Sequence, residues 1–376
     1  MPVNVTEVRH ALVSLAKPSN LSIQVIEKAI GNSPNEEQHH ITKFKVVKDT
    51  LTKNSKYFSK MLLSQFAEAK KDIVTLEDDS TIAMELLLRS LHGVDVDHLY
   101  EVPLKEVWHV IAAADKYQIN LERLRAWFKV WYRLNGEKIE LDDFNARELA
   151  YPCYIFNHAH GFARVTKWLA YNFAGHITEH NPTVYPHLHL APHHFVGPMN
   201  ASRGRLKTVL HSHLWADLGK LFRHHSCGCW HRTTAEYQAQ LVHIRVWPLE
   251  EVYPKNSMND LLDRLDSFNH RSAAPDCFAC NIDWPARVEE ARDQVSGYFD
   301  GLCLDCMDRT QPKRGNEDND YWGHGISVEG RWDSDCRIRH GNPTWYSSWL
   351  GRSDTREKLL KLGREKKKKL HSSDFM

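Results

Sequence analysis

This sequence of 376 residues has almost no net charge, because its 49 lysines and arginines are balanced by 48 aspartates and glutamates. A formal charge of +1 gives the whole chain no field that would attract nucleic acid or an anionic membrane, so such binding would need a local patch. No apolar run has the length of a membrane-spanning helix. Glu7, Arg9 and Lys17 interrupt the N-terminus, which therefore lacks the apolar core of a signal peptide. We expect an intracellular protein of the nucleus and/or cytoplasm, without a membrane partner.

Motifs of several common enzyme classes are also missing. The sequence contains neither H-E-x-x-H nor a Walker A loop, and it has no G-x-S-x-G elbow. A zinc deaminase needs H-x-E followed by P-C-x-x-C. Here Asp276 separates Pro275 from Cys277, and no H-x-E occurs upstream. We therefore predict a protein that is not an enzyme.

Apolar residues, in contrast, are plentiful, at 42% of the chain with 12 Trp, 13 Tyr and 14 Phe. This composition excludes a chain that is disordered throughout, and the length is sufficient for two or three domains. In the first third, Leu21, Ile23 and Val25 alternate with polar residues, and residues 42–46 show the same alternation. Such a period of two predicts half-buried strands, and residues 73–76 form a third short one.

Helical patterns follow these strands. Asp79 or Ser80 is placed to cap one helix, Pro103 to begin a second and Asn120 to cap a third. The first third is therefore predicted to be an α+β unit, in which a small sheet is flanked by helices.

Six short motifs in this part of the chain occur in the order found in one domain family. They are residues 19–23 (SNLSI), 44–48 (FKVVK), 55–58 (SKYF), 66–68 (FAE), 73–79 (IVTLEDD) and 113–117 (AADKY). Together they resemble the BTB/POZ domain. The resemblance implies that residues 19–133 form such a domain. It also implies binding to a protein, either a second copy or a partner such as a cullin-3 ubiquitin-ligase scaffold or a regulatory complex.

Two positions depart from the family pattern. Asn20 stands where the family has Asp, and Val47 stands where it has His. In dimeric relatives these positions help to form a charged pocket between two chains, so the departures weaken the case for a homodimer. The large aromatic residues of this region are expected to fill the core, namely Phe58, Phe66, Trp108 and Tyr117.

The rest of the chain is similar to the C-terminal regions of fungal BTB-domain proteins at residues 156–159 (FNHA), 175–177 (GHI) and 298–306 (YFDGLCLDC). No settled activity comes with this similarity. The patterns predict an N-terminal segment (1–18), the BTB/POZ domain (19–133), a helical region (137–215), a cysteine-bearing helical module (216–307) and an irregular region with a basic tail (308–376).

Six of the eight cysteines occur in close pairs. They are Cys227 and Cys229, Cys277 and Cys280, and Cys303 and Cys306. In a reducing compartment such pairs indicate a metal site rather than disulfides, and Zn²⁺ prefers sulfur and nitrogen ligands. We predict that these six cysteines are ligands of structural zinc.

The grouping of these ligands stays open. A predicted helix of about 16 residues between Asp283 and Gly301, ~24 Å long, separates the two C-x2-C knuckles. If both knuckles share one ion, residues 280–285 must fold back along this helix. Alternatively, Cys227 and Cys229 complete a site with one knuckle, and the other knuckle takes histidine ligands.

The basic tail raises an alternative function. Zinc ligands together with basic residues are typical of a zinc-dependent nucleic-acid-binding or transcription-associated regulator. However, acidic residues dilute the charge of residues 352–369, and no aromatic residues stand among the lysines to stack bases. We therefore predict a protein-interaction adaptor, do not expect nucleic acid as its partner, and keep that regulator as the alternative.

Overall fold

The computed structural model describes residues 4–30, 36–63, 71–192, 194–224, 227–271, 274–305 and 337–338. The chain divides into two units. The first contains the described parts of residues 1–140, 151–158 and 181–189, and the second those of 141–150, 159–180 and 190–376. The motif at 66–68, Cys306 and the basic tail lie outside the described residues.

A four-stranded sheet forms the base of the first unit. Its strands are β1 (Asn4–Ser14), β2 (Leu21–Ile30), β3 (Glu36–Val46) and β4 (Ile73–Glu77). They lie in the order β1-β3-β2-β4, with β2 antiparallel to β3 and the two outer strands parallel to their neighbours. The three predicted strands are confirmed. The predicted boundary at residue 19 leaves β1 outside the domain, whereas β1 pairs with β3 and belongs to the sheet.

Alternation explains which face of the sheet is buried. Leu21, Ile23 and Val25 all point to the core, and Ile23 lies opposite Phe44 of β3 and Val74 of β4. Burying each such side chain contributes about 1.5–3 kcal/mol. A shift of one residue in register would turn this apolar set to solvent, so burial also fixes the pairing of the strands.

Five helices accompany the sheet. They are α1 (Lys48–Asn54), α2 (Lys56–Leu63), α3 (Thr81–His92), α4 (Leu104–Lys116) and α5 (Arg125–Leu134). As predicted, the Ser80 side chain caps α3 by accepting a hydrogen bond from the backbone of Ala83 at 3.2 Å. Asn120 caps the 3-10 turn Leu121–Leu124 that precedes α5. The helix α3 packs against β2 and β3 and covers the buried face of the sheet.

A buried polar cluster links the end of β4 to the end of α4. The carboxylate of Asp79 accepts hydrogen bonds from Lys116 Nζ at 2.9 Å and from the hydroxyl of Tyr117. The Ser55 hydroxyl donates to the Tyr117 carbonyl at 2.6 Å, and the Phe58 ring stacks on Tyr117. Burial, reinforced by the bond to Asp79, raises the pKa of Tyr117. Motifs that are separate in the sequence therefore form one cluster.

Helices form the second unit. They are α7 (Ala159–Asn172), α8 (Val196–His224), α9 (Trp230–His243), α10 (Leu249–Val252), α11 (Met258–Leu265) and α12 (Trp284–Ser296), while α6 (Asn145–Ile155) contains residues of both units. The predicted division at residue 215 falls inside α8, which continues through it for a total of 29 residues. In the described part of the chain, no helix is both long and apolar enough to cross a membrane.

The segment after α12 lies directly against α7. The Thr166 hydroxyl accepts a hydrogen bond from the backbone of Leu302 at 2.8 Å, and Tyr171 donates to the Val295 carbonyl at 2.7 Å. Gly301 has a φ of +91°, and a Cβ there would overlap the backbone of Ala163. The motif at 298–306 thus includes a glycine that both the backbone conformation and the close approach require.

We expect Asp79→Ala to lower the free energy of unfolding by about 2–3 kcal/mol, because it leaves Lys116 and the Tyr117 hydroxyl without their common acceptor. Tyr117→Phe keeps the ring stacked on Phe58 and should cost only about 1 kcal/mol. Urea unfolding of the three proteins measures both values. Equal stability of Asp79→Ala and the original chain would contradict a structural role for the cluster.

Gly301→Ala should destabilise the second unit by at least about 2 kcal/mol, because the new methyl group meets the Ala163 backbone in a strained left-handed conformation. The matched control is Gly175→Ala in the same unit. Gly175 also has a positive φ, of +79°, but has open space around it. Its replacement should cost about 1–2 kcal/mol from the conformation alone. If the two variants lose the same amount of stability in thermal unfolding, the close approach of Gly301 to the Ala163 backbone does not contribute to stability.

Candidate functional site

Four of the six predicted cysteine ligands come together in the second unit. The Sγ atoms of Cys227, Cys229, Cys277 and Cys280 all lie within 4.8 Å of one another. Cys280 Sγ lies 3.3 Å from Cys227 Sγ and 3.4 Å from Cys229 Sγ. We call this group the four-cysteine cluster.

Two turns position these side chains. The C-x-C pair lies between α8 and α9, where Cys229 is the residue that immediately precedes α9. The C-x2-C knuckle lies ahead of α12, and the backbone of Cys280 donates to the Cys277 carbonyl at 3.0 Å. Each turn directs both of its thiols to the same side, so the cluster needs only two short segments of chain.

The cluster has the dimensions and chemistry of a zinc site. Four thiolates at a Zn–S distance of about 2.3 Å form a tetrahedron whose sulfur atoms are ~3.8 Å apart. The separations of 3.3 and 3.4 Å are slightly shorter than this value and no pair of Sγ atoms exceeds 4.8 Å, so only small side-chain movements are needed for four bonds. A set of four protein ligands leaves no position for water or substrate, which is typical of structural sites and not of catalytic ones.

Contacts among the thiols change their acidity. Hydrogen bonding with Cys229 lowers the pKa of Cys277 to about 7, and the same contact is the main cause that raises the pKa of Cys229 to about 12. Burial raises the pKa of Cys280. The cluster therefore favours a thiolate at Cys277, which accepts hydrogen bonds from the neighbouring thiols. A divalent cation would stabilise further thiolates in place of those protons.

Of the two remaining predicted ligands, Cys303 is the one that the structure describes, and it does not join the cluster. Cys303 is buried and follows Leu302, which is bonded to α7. The 13-residue helix α12 separates it from the first knuckle, and Cys306 lies outside the described residues. Of the two groupings left open by the sequence, the geometry corresponds to the one in which the C-x-C pair joins a single knuckle. A second zinc at Cys303 and Cys306 stays a prediction.

Sequence reasoning did not single out Thr233. This residue is buried on the first turns of α9, and its backbone donates a hydrogen bond to the Cys229 carbonyl at 3.1 Å. Its position four residues after Cys229 on a helix is the only signal that would have identified it.

The first unit offers a different kind of site, an exposed face on α2. Of the aromatic residues expected in the core, Phe58, Trp108 and Tyr117 are buried, and Phe66 lies outside the described residues. In contrast, Leu63 has 66% of its surface exposed, and Tyr57 is also exposed. Apolar side chains at the surface are common singly, but here they share one short helix.

The two positions that depart from the family pattern make bonds within the chain. The Asn20 side chain accepts a hydrogen bond from the backbone of Lys48 at 2.7 Å, at the start of α1. The backbone of Val47 donates to His92 Nε2 at 3.0 Å. Both positions therefore help to hold the β3–α1 junction.

Comparison with known proteins adds to this description of the first unit. The family model for the BTB/POZ domain matches residues 38–122, a stretch that contains α1 to α4 and the buried Asp79 and Tyr117. No curated protein matches the chain. The similarity of the later motifs to fungal proteins stays a prediction. The matched stretch includes most of β3, all of β4 and the helices α1 to α4, and the chain is a BTB/POZ domain-containing protein.

Proposed function

We propose that this chain is an adaptor that binds protein partners and carries out no catalysis. The proposal rests on a contrast within the BTB/POZ domain: Asp79 and Tyr117 are buried, whereas the apolar side chains of Leu63 and Tyr57 are exposed. Asp79 and Tyr117 are buried and maintain the fold, so a partner has to contact other residues. Leu63 and Tyr57 are apolar, exposed and rigidly placed on a helix.

The exposed face of α2 combines apolar and basic groups. Lys56, Lys60 and Leu63 follow one another at helical spacing, and Tyr57 lies at their side. This combination favours a partner with apolar side chains bordered by carboxylates. We assign the face to a cullin-3-type ubiquitin-ligase scaffold, the class of partner that the resemblance to BTB/POZ domains implies. An interface of standard size would bury about 800 Å² on each partner.

The four-cysteine cluster has a structural role in this proposal. One Zn²⁺ would join the turn before α9 to the turn before α12, and so would fix three helices of the second unit around one point. Ligand sets of this closed kind contribute folding free energy directly. A reducing compartment, the nucleus or the cytoplasm, would keep the thiols available for the metal.

Leu63→Asp should weaken binding to the N-terminal domain of a cullin-3-type scaffold by at least about tenfold, because it places a charge in the apolar part of the face. Leu12→Asp is the matched control, since Leu12 is 63% exposed in the same unit but lies on β1. Biolayer interferometry measures the affinities, and light scattering reports self-association.

The α2 assignment is contradicted if Leu12→Asp weakens binding as much as Leu63→Asp does. An original chain that binds neither the scaffold nor a second copy would remove the adaptor proposal for this domain. Unchanged thermal unfolding of both variants is required, and their exposure makes it the expected result.

Elemental mass spectrometry of the purified chain should find zinc, and Cys277→Ser should hold one zinc fewer per chain. The variant should also lose several kcal/mol of stability in the second unit. Cys153→Ser, which alters a cysteine outside the predicted pairs, should keep the full zinc content. Cys303→Ser reports whether the second knuckle holds a further ion. A zinc content unaffected by Cys277→Ser would exclude the four-cysteine cluster as the site.

A further inference from the structure

A row of aromatic rings follows one face of α8 and continues into α9. We define the aromatic row as Trp247, His211, Trp215, Phe222 and Trp230, all in the second unit. His211, Trp215 and Phe222 are four and seven residues apart along the helix, which places them on the same face. Phe222 has 42% of its surface exposed, and the other members are at least partly accessible.

Four of the five rings in the row are nearly parallel without covering one another, whereas Trp230 meets Phe222 edge to face, at an interplanar angle of 75°. The planes of Trp247 and His211, of His211 and Trp215, and of Trp215 and Phe222 differ by only 14°, 16° and 13°. Their centroids are 5.4–6.3 Å apart, well beyond the separation of fully overlapping rings. Part of each aromatic face therefore stays open to another flat ring.

A glycine makes room for the centre of the row. A Cβ at Gly219 would lie 2.8 Å from Trp215 Nε1 and 3.2 Å from Arg223 Nη1. Because that atom is missing, the indole and the guanidinium both lie close against the helix. Both groups border the same position on the helix, so an aromatic ring and a cation are neighbours there, a combination that suits a base and its phosphate.

The surrounding segment carries a local excess of basic residues that the overall charge did not reveal. Residues 205–247 contain six lysines and arginines and two acidic residues, a formal charge of +4 in a chain whose total is +1. Both acidic residues are already paired: Asp217 with Lys220 and Arg287, and Glu236 with Arg232. Among the described residues, Arg223 has no carboxylate partner and remains available to an anion.

From this geometry and charge we propose that the aromatic row binds single-stranded nucleic acid, with bases stacked on Trp215 and Phe222 and a phosphate at Arg223. From His211 to Phe222 the helix rises ~16 Å, the length of about five stacked nucleotides. Unpaired bases are required, because in a duplex their faces are covered. Stacking accepts every base, so the binding has little sequence preference. The row shares no residue with the α2 face or with the four-cysteine cluster, and Trp230 directly follows Cys229 of that cluster.

Fluorescence anisotropy of the full chain with labelled dT12, in 50 mM and 200 mM NaCl, tests the proposal, and U12 serves as the RNA probe. Phe222→Ala should weaken dT12 binding by about tenfold. Arg223→Gln should reduce the dependence of log affinity on log salt by about 0.7. The corresponding duplex should bind at least tenfold more weakly than dT12.

The controls are Phe144→Ala, which removes a 59% exposed phenylalanine elsewhere in the second unit, and Lys255→Gln, which removes an exposed cation there. Both should bind dT12 as the original chain does, and all four variants should unfold at the same temperature. Absence of dT12 and U12 binding in 50 mM NaCl overturns the proposal, and so does equal weakening by Phe222→Ala and Phe144→Ala. An acidic proline-containing peptide that binds the row where dT12 does not would make it a protein-docking surface and overturn the proposal as well.

Discussion

The burial of the Asp79 carboxylate is the constraint on which the first unit depends. A carboxylate removed from water is tolerated only if its charge is compensated and its oxygens are hydrogen-bonded. Lys116 and Tyr117 supply both, and they come from the end of α4, 37 and 38 residues further along the chain. The Tyr117 carbonyl also accepts a hydrogen bond from the Ser55 hydroxyl, and the Tyr117 ring stacks on Phe58. One cluster therefore holds α2, β4 and α4 together. Three of the six family motifs, at residues 55–58, 73–79 and 113–117, therefore meet in one cluster.

The second unit has no polar cluster of that kind among its described residues, and its order depends on close backbone contact. Thr166 and Tyr171 of α7 satisfy backbone groups at 295–302, and Gly301 permits the approach. The turn of the C-x2-C knuckle buries little apolar surface, because Phe278 between its two cysteines is fully exposed. A metal at the cluster would supply there the stability that apolar burial supplies elsewhere.

Local patterns were sufficient for the parts of the fold that depend on neighbouring residues. The alternation at Leu21 to Val25 predicted β2, and the serine before α3 predicted its cap. What the local patterns did not indicate depends on distant residues. The parallel pairing of β1 with β3 is a long-range contact without a local signature, and α8 contains Gly204 and Gly219, which obscure its continuity across residue 215. The six cysteine candidates were identified by spacing alone. Which of them meet is determined by α8, α9 and α12, and sequence reasoning could not fold those helices together.

The same distinction explains why the family resemblance says little about partners. The motif residues that hold the core together, among them Ile23, Phe58 and Tyr117, are buried, so they report the fold and leave the surface undetermined. Partner choice has to reside in exposed positions such as Leu63, Lys60 and Phe222, which no motif includes or constrains. The aromatic row illustrates the consequence. Its members are spread over residues 211–247 and form one surface only because α8 is a continuous helix. The combination of aromatic and basic residues that nucleic-acid binding requires, and that the basic tail lacks, is therefore present on α8.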